Sequence, residues 1–466
     1  MHYPWWYVPI INAPMLIAIV ATLHVWVAFY AVGGGMILAY ETSIAHRENN
    51  INYLEYLHSH THFFVLITIV YGAITGVGIW WTIALASPLA TQTLIHIFIF
   101  GWGMEYVFFL LEIVSAFIFY YYWNRLDPRT HTMIGWIYGI SAWISLVIIT
   151  GITAFQLNSG GWELSDGFWT ALFNPQTIPQ IIARTGGSLL LASLYIYLHA
   201  SITLKNEPER RNHLIHRSVR WVMSGTILIV IGGILWFIYL PEQGKAALEA
   251  ASALNVMAAL VTAGTLLMIV MTYFGPYKNP GWVTPGFAII LFLGGLANVT
   301  TGEFIREAVR KPYIIDNLVL GHQIFKAQIP QLQQSGYLDG GVWTRHYVKS
   351  VAPEITTSGG NVDSKLFANL NSEQRITLGK TLFMYHCNNC HASERGVSSL
   401  TSLTRGWTDE MIKMSIVQMD KFHYFMPPWS GTEEEAGLLR EYLSSITLPS
   451  PTHKENNSDR IQQVIK

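Results

Sequence analysis

Charged side chains are scarce in this sequence. Only 12% of the 466 residues are Asp, Glu, Lys or Arg, whereas 51% are hydrophobic and 17 are Trp. So few charges cannot cover the surface of a water-soluble protein of this length, and the composition is typical of a membrane protein. Lys and Arg total 28 against 29 Asp and Glu, which excludes the strongly basic surface of a nucleic-acid-binding protein.

Cysteine is scarcer still, because the only two cysteines of the chain lie three positions apart. They belong to the stretch Cys387-Asn388-Asn389-Cys390-His391. Cys-x-x-Cys-His is the attachment pattern of a c-type haem: both thiols bind the haem vinyl groups and the histidine binds the iron. A redox dithiol or half a zinc site would not explain the histidine, and no second cysteine pair exists to complete a zinc site. The sequence therefore predicts one covalent haem c.

A methionine downstream is the candidate for the other face of this iron. Met426 lies in Phe425-Met426-Pro427-Pro428-Trp429, where the prolines fix the backbone and can present the sulfur at the end of a loop. A methionine ligand raises the haem potential. Three other methionines lie in a stretch of helical character and are more typical of packing: Met411, Met414 and Met419. Helices are predicted over 373–384 and 433–446, and residues 364–450 resemble a class I cytochrome c domain.

Long apolar runs dominate the first 300 residues. A run of about 20 apolar residues can span a bilayer as a helix. We predict about eight such spans: 14–40, 60–86, 93–122, 132–157, 179–203, 218–240, 250–274 and 283–302. The predicted fold is all-α, a polytopic transmembrane bundle followed by a small helical cytochrome c domain.

Positive charges in the loops predict how the spans are oriented. The loops after spans one, three, five and seven carry Arg47, Arg125, Arg129, Lys205, Arg210, Arg211, Arg217, Arg220 and Lys278. Positive residues favour the cytoplasmic side, so we expect the N terminus outside. Eight crossings return the chain to the outside before the cytochrome c domain, which agrees with haem c attachment outside the cytoplasmic membrane. The expected location is a bacterial or archaeal cell membrane, with the N terminus and cytochrome c domain on the periplasmic or outer side. No basic segment precedes the first apolar run, so we expect no cleavable signal peptide.

These patterns predict four regions. A transmembrane haem domain covers 1–302, and a linker or periplasmic surface segment covers 303–363. The cytochrome c domain follows at 364–450, and a polar tail, expected to fray, covers 451–466.

Ionisable side chains at membrane depth are costly, so each is a functional candidate. His24 lies within the first span and is either hydrogen-bonded to a neighbouring helix or an axial ligand of a b-type haem. Glu105 and Glu112 are seven residues apart and lie on one helix face; they either stabilise helix contacts or form a proton route. His96, at the start of the same predicted span, is a further candidate haem ligand. Met257 is by default a packing residue.

Several segments of the membrane region resemble cytochrome bd oxidase subunit I, collinearly over residues 10–315. They are Leu23-His24-Val25-Trp26, Gly35-Met36-Ile37-Leu38-Ala39-Tyr40-Glu41-Thr42, Ala73-Ile74-Thr75-Gly76, Phe108-Phe109-Leu110-Leu111-Glu112, Trp123-Asn124-Arg125-Leu126, Asn174-Pro175 and the segment 302–313 ending in Arg310-Lys311-Pro312-Tyr313.

That family binds three haems near the outer face and reduces oxygen with electrons from quinol. The resemblance implies that His24 serves a high-spin haem and that Met257 serves the low-spin haem b. It also implies a proton-channel role for Glu112, while Glu105 lies one position from the family's other carboxylate. One or more b-type haems are therefore expected, and a haem d is compatible with the resemblance.

The sequence also departs from this family. Arg184 stands where the family has the histidine of its low-spin haem, and Thr300 stands where it has a glutamate ligand of a high-spin haem. Only about ten residues, 240–249, replace the long quinol-binding loop after span six. At least one haem site and the usual place of quinol oxidation are therefore in question.

Together these features predict a respiratory electron-transfer protein. Electrons would pass between the external haem c and haem b within the membrane, in a subunit of a larger redox complex. The alternative is the catalytic subunit of a bd-like oxygen reductase fed by cytochrome c, so whether the chain is itself an enzyme stays open. The expected partners are other membrane or periplasmic redox subunits, a soluble cytochrome c or similar carrier, and the lipid bilayer, with no nucleic acid.

Overall fold

The structure is a computed structural model that describes residues 8, 10–310, 318–319, 322–341, 343–422 and 426–447. The chain divides into two compact units. A bundle unit comprises residues 18–81 and 91–310, and a C-terminal unit comprises residues 1–17, 82–90 and 311–466. The predicted tail at 451–466 and the motif residues Pro312 and Tyr313 lie outside the described residues.

Helices account for almost all regular structure up to residue 310. They are α1 (Ala13–Arg47), α2 (Ile51–Val65), α3 (Gly72–Ala86), α4 (Pro88–Ile97), α5 (Ile99–Tyr121), α6 (Pro128–Phe155), α7 (Trp162–Ser165), α8 (Phe168–Leu172), α9 (Thr177–Thr203), α10 (Pro208–Ile238), α11 (Glu242–Ala250), α12 (Ser252–Thr272) and α13 (Pro285–Ala308). A π-helical segment, Leu66–Tyr71, joins α2 to α3, and a second, Tyr273–Tyr277, ends α12.

Eight of these segments are long and apolar enough to cross a membrane. They are α1, the continuous α2–α3 segment, α5, α6, α9, α10, α12 with its π-helical end, and α13. The predicted all-α polytopic bundle with eight spans is therefore confirmed. Large apolar side chains such as Ile74, Trp81 and Leu293 are exposed on the outer faces of the spans, as expected for surfaces that contact lipid.

Helix α9 is the most buried of the eight spans. Small residues let its neighbours approach closely: a Cβ on Gly33 of α1 would lie 2.0 Å from the Ser188 carbonyl oxygen, and one on Gly186 would lie 2.5 Å from the Gly225 carbonyl oxygen. Larger side chains at these positions would force the helices apart.

A buried carboxylate fixes the end of α1 against α10. Glu41 is 3% exposed and pairs with Arg217 at 2.8 Å and with Arg220. Trp221 Nε1 also donates to this carboxylate, at 2.9 Å. These partners compensate the cost of burying the charge, so the polar end of the first span continues as helix to Arg47.

The C-terminal unit is also mainly helical. Its elements after residue 310 are an antiparallel pair, β1 (Leu318–Val319) and β2 (Ile324–Phe325), and helices α14 (Ile329–Ser335), α15 (Tyr337–Gly340), α16 (Thr344–Val351), α17 (Ser372–His386), α18 (Leu400–Leu403), α19 (Asp409–Val417), α20 (Met419–Phe422) and α21 (Glu433–Thr447). Short 3-10 turns cover Lys326–Gln328, Pro353–Ile355 and Ser364–Asn369.

Helices α17 and α21 form the centre of this unit. A Cβ on Gly379 would lie 2.2 Å from the Leu438 carbonyl oxygen, so the two helices touch through their backbones. Arg375 donates to both carboxylate oxygens of Glu441, at 2.7 and 2.6 Å, and this bidentate pair fixes their relative rotation.

The region predicted as a linker, 303–363, has two different structures. Its first residues continue α13 to Ala308. From Ile324 onward, apolar side chains join the core formed by α17 and α21. They are Ile324, Ile329, Leu332, Tyr337, Leu338, Val348, Ala352, Ile355 and Val362. This part of the segment is therefore packed rather than extended.

Candidate functional site

His24 is held by a hydrogen bond from the neighbouring span. Its Nδ1 lies 3.1 Å from the Thr75 hydroxyl oxygen. That hydroxyl donates to the Tyr71 carbonyl at 2.8 Å, so it accepts the proton of His24 Nδ1. The ring is then the neutral tautomer whose Nε2 lone pair is available to a metal. This arrangement fits axial ligation of a haem iron, in which the second ring nitrogen is normally held by an oxygen acceptor.

The segment Ala73-Ile74-Thr75-Gly76 explains why the ring fits there. Thr75 supplies the acceptor, and a Cβ on Gly76 would lie 3.2 Å from His24 Cε1, so a larger residue would crowd the imidazole. The π-helical turn Leu66–Tyr71 ends two residues before this segment begins at Ala73, and such turns frequently occur at functional sites.

Thr300 does not provide a second iron ligand near His24. Its hydroxyl donates to the Leu296 carbonyl at 2.7 Å and accepts a hydrogen bond from Trp26 Nε1 at 3.1 Å. A neutral hydroxyl engaged on both sides is a poor metal ligand. Thr300 therefore connects α13 to α1 through its hydrogen bond with Trp26.

The two carboxyl groups of α5 meet at one serine. Ser145 of α6 donates to Glu105 Oε1 at 3.1 Å, and the Glu112 carboxyl group lies close to both of these side chains. A hydroxyl between two carboxyl groups can accept a proton from one and donate to the other. The predicted common face of Glu105 and Glu112 is thus present, and Ser145 is a functional candidate that the sequence did not indicate.

Arg184 of α9 lies in an ion-pair network. Its guanidinium donates to the hydroxyls of Thr150 and Thr153, both at 3.1 Å, and pairs with Glu303 at 3.8 Å. Glu303 also accepts from Arg306 at 2.8 Å. A guanidinium carries no free lone pair and cannot ligate iron.

Met257 packs in an apolar cluster with the buried Leu254 and Ile305. With Arg184 bound to Glu303, the described residues present no ligand pair for a six-coordinate haem at this place. They therefore do not fit the low-spin haem that the family resemblance implies here.

His96 is exposed on the short helix α4, and a break at Phe98 separates that helix from α5. The sequence had placed His96 on the same helix as Glu105. Its role as a haem ligand stays a prediction.

The Cys-x-x-Cys-His motif begins where α17 ends. Cys387 and Cys390 are not joined in a disulfide, and burial raises the pKa of the Cys387 thiol to about 12. His391 Nδ1 lies 2.9 Å from the Ser398 carbonyl oxygen, so this nitrogen donates and Nε2 keeps its lone pair. The Asn388 side chain is 1% exposed, and both its polar atoms lack partners within the described residues. This buried amide has no hydrogen-bond partner among the described residues and lies beside two thiols and an oriented imidazole. Such a set of groups fits the attachment of a haem.

The loop that carries Met426 is anchored by the residues that follow it. Its half-buried Met426 precedes Trp429, whose carbonyl accepts from Gln333 at 2.8 Å. Ser430 lies 3.0 Å from Nε2 of the buried His386. Met426 and His391 therefore belong to the same compact unit, as the cytochrome c prediction requires.

Sequence reasoning missed a buried polar cluster under this loop. His322 Nε2 donates to the His386 carbonyl at 2.5 Å, and the His322, Tyr337 and Trp429 rings pack around the His386 ring. Burial lowers the pKa of His322 to about 4 and that of His386 well below its usual value, so both rings are neutral. His322 lies outside the region predicted to be a domain, so no local pattern indicated it.

A second buried histidine pair lies in the bundle unit. The His60 and His199 rings are 4.9 Å apart, and the Tyr30 hydroxyl lies 3.2 Å from His60 Nε2. His199 is thus packed within the bundle.

Comparison with known proteins bears on the membrane region. The family model for cytochrome bd terminal oxidase subunit I matches residues 13–247. No curated protein matches the chain. A chain of the bd oxidase structure from Geobacillus thermodenitrificans superposes with a TM-score of 0.56 at 18% sequence identity, covering 66% of this chain and 89% of that one. At this identity the likeness shows a shared fold. Since the family model covers half of the residues, from the start of α1 to residue 247 within α11, the chain belongs to the cytochrome bd terminal oxidase subunit I family.

Proposed function

We propose that this chain is a respiratory electron-transfer subunit with a c-type haem in its C-terminal unit and a b-type haem in its bundle unit. Cys387 and Cys390 would attach haem c, with His391 and Met426 as iron ligands, and His24 would hold haem b. One observation carries the proposal: His24 and His391 each have Nδ1 bonded to an oxygen atom, at 3.1 and 2.9 Å. In both rings the lone pair is then on Nε2, which is the tautomer of a histidine that binds iron through that atom.

Bound haems would supply reversible one-electron chemistry. The protein residues would orient the iron ligands and influence the reduction potential. Thr75 and Ser398 fix the two imidazoles, and the anchored Met426 loop offers a thioether that favours the reduced iron.

Electron entry through haem c is supported by what replaces the family's quinol loop. Only Tyr239 to Ala251 separate α10 from α12, and most of them form α11. A short helix offers little room for a substrate-binding loop. We therefore assign electron exchange to haem c, with a soluble cytochrome c or a periplasmic redox subunit as partner. The charge bias of the loops supports placing this domain on the periplasmic or outer side.

Haem analysis of the full-length protein in detergent tests the proposal. Pyridine haemochrome spectra before and after acidified-acetone extraction count covalent and extractable haems separately. We expect one covalent haem c and at least one extractable haem, whether of b type or accompanied by the haem d of the family. Cys387→Ala with Cys390→Ala should remove the covalent haem alone, and His24→Ala should reduce the extractable haem alone. Covalent haem with nothing extractable, or no covalent haem, would overturn the proposal.

A second function, oxygen reduction with electrons from cytochrome c, is favoured by the Glu105–Ser145–Glu112 arrangement. Reducing oxygen to water consumes protons, and two neighbouring carboxyl groups beside a hydroxyl can relay them within the membrane. Oxygen consumption by haem-loaded protein with reduced cytochrome c would support this function. A purely electron-transferring subunit would consume none, and its reduced haems would not bind carbon monoxide.

A further inference from the structure

Residues ahead of the first membrane helix contact the loop that follows the haem-attachment motif. The Asn12 side-chain amide donates to the Cys390 carbonyl at 3.3 Å. The Ile10 carbonyl accepts from the Val397 backbone N–H at 2.9 Å. All four residues belong to the C-terminal unit. The loop 390–398 is therefore held near both of its ends by a segment that lies almost 380 residues earlier in the chain.

Gly396 allows the backbone at Ile10 to approach the loop this closely. Its φ is +115°, and a Cβ there would lie 2.1 Å from the Ile10 carbonyl oxygen. A side chain would therefore collide with the N-terminal segment and strain the backbone at the same time. The close approach depends on glycine at this position.

The two contacts hold residues that are adjacent in sequence to His391 and to Ser398, whose carbonyl accepts a hydrogen bond from His391. Cys390, whose carbonyl Asn12 holds, directly precedes His391. Val397, whose N–H bonds Ile10, directly precedes Ser398, and the Ser398 carbonyl accepts from His391 Nδ1 at 2.9 Å. Ser398 has a φ of +47°, a conformation that a non-glycine residue keeps only when its surroundings fix it.

We propose that Ile10 and Asn12 are positioning residues for His391, and that they tune the reduction potential of haem c through the His391–Ser398 hydrogen bond. This rests on the proposed attachment of haem c. A histidine ligand that donates its other N–H to a carbonyl is a stronger base, so the bond favours ferric iron. Loosening the loop weakens the bond and raises the potential.

Asn12 also begins the first membrane helix. Its Oδ1 accepts from the Met15 backbone N–H at 3.0 Å, while its Nδ2 reaches Cys390. One side chain thus caps α1 and holds the haem-attachment loop. Serine in its place can still cap a helix but lacks the amide donor.

The test is a spectroelectrochemical titration of haem c in the full-length protein in detergent. Gly396→Ala pushes Ile10 away from Val397, and Asn12→Ser removes the bond to Cys390. Gly406→Ala is the matched control, because Gly406 also has a positive φ, +82°, but a Cβ there would meet nothing within 4 Å. We expect a higher midpoint potential in Gly396→Ala, a smaller rise in Asn12→Ser and no change in Gly406→Ala.

The outcomes separate this inference from the proposed function. If the wild-type protein holds no covalent haem, the haem c proposal itself fails. If haem c is present but both loop variants keep the wild-type potential, or if Gly406→Ala shifts it equally, the positioning role is wrong. Should Gly396→Ala fail to attach haem, Asn12→Ser alone decides the question.

Discussion

The guanidinium of Arg184 and the carboxylate of Glu303 pair at 3.8 Å between α9 and α13. Their side chains are only 12% and 17% exposed. In the resemblance to cytochrome bd oxidase subunit I, Arg184 stands where that family has a haem-ligating histidine. In this chain the largely buried guanidinium of Arg184 needs a negative partner, and Glu303 of α13 provides it. An ion pair thus joins two spans where a haem would otherwise contact them.

Replacing Glu303 by Gln should destabilise the bundle strongly. The change leaves the largely buried guanidinium group of Arg184 without its carboxylate, while Arg306 keeps only Glu307 at 3.7 Å. Breaking one partner of a buried pair typically costs about 3–5 kcal/mol. Thermal and denaturant unfolding of the detergent-solubilised protein would measure this loss.

Glu242→Gln is the matched control for that change. Glu242 pairs with Lys245 at 3.0 Å but is 90% exposed, so its loss should cost at most about 1 kcal/mol. Equal effects of the two substitutions would show that the Arg184–Glu303 pair is not a buried, stabilising interaction.

Met257→Leu should leave the haem spectrum and the haem content unchanged. Met257 packs against Leu254 and Ile305, and a Met-to-Leu change conserves volume, which usually costs less than about 1.5 kcal/mol. Met426→Leu provides the contrast, since it should abolish the spectral band of a methionine-ligated ferric haem c. Disappearance of a low-spin b-type band in Met257→Leu would instead identify Met257 as an iron ligand.

Thr75→Val should weaken haem binding at His24. Valine keeps the shape of threonine but removes the oxygen that accepts from His24 Nδ1, so the ring loses its fixed tautomer. Loss of such a partner typically costs about 10- to 100-fold in affinity. The measurement is the extractable haem per protein after purification under dilute conditions.

The control for that variant is Thr68→Val. Thr68 lies on the same span, and its hydroxyl bonds the Phe64 carbonyl at 2.8 Å. Haem loss in both variants would point to a general weakening of the helix rather than to the histidine.

The eight apolar spans were predictable because hydropathy over about 20 residues is a local property. The ends of the spans were not. The first span was predicted to end at residue 40, yet α1 reaches Arg47, and its buried Glu41 pairs with Arg217 and Arg220 of another helix. Charge pairing between distant segments leaves no mark on the local composition.

The candidate site was predictable only in part. His24, Glu105 and Glu112 stood out because ionisable groups are rare at membrane depth. Thr75 and Ser145, which hold them, are common hydroxyl residues whose role depends on how neighbouring helices are rotated. In the same way, residues 324–362 were predicted as a linker because the core that buries them includes α17 and α21, which follow later in the chain.

Glu112→Gln should slow proton-coupled oxygen reduction if the chain performs it. The amide cannot carry a proton between Ser145 and its surroundings, and removing a positioned acid or base commonly costs on the order of 10²-fold or more. Ser145→Ala should have a smaller effect, because a water molecule can replace a hydroxyl. Ser224→Ala, which removes an exposed hydroxyl bonded to the Arg220 carbonyl, should have none. Reduction of haem c should proceed normally in every variant, and a parallel loss there would assign Glu112 a structural role.

Glu435 should make the stability of the C-terminal unit depend on pH. Its carboxyl group is 1% exposed and accepts from the backbone N–H groups of Tyr337, Leu338 and Thr432, at 2.8, 2.7 and 3.0 Å. Burial raises its pKa from the ordinary 4.5 to about 7. Between about pH 4.5 and pH 7 the folded protein therefore keeps a proton that the unfolded chain has lost. Below this window, protonated Glu435 makes its full contribution to the free energy of unfolding. That free energy falls by about 3 kcal/mol as the pH rises through the window, and the contribution of Glu435 is constant above it.

The buried histidines titrate in an overlapping range with the opposite sign, so only a comparison with a variant isolates Glu435. His322, whose pKa is lowered to about 4, destabilises the fold as the pH falls below the ordinary histidine value. Glu435→Gln removes one titration and leaves the histidines in place. The difference in unfolding free energy between wild type and this variant should therefore decline from pH 4.5 to pH 7. A difference for Glu435→Gln that stays constant with pH would mean that the buried carboxyl group titrates alike in the folded and unfolded chain.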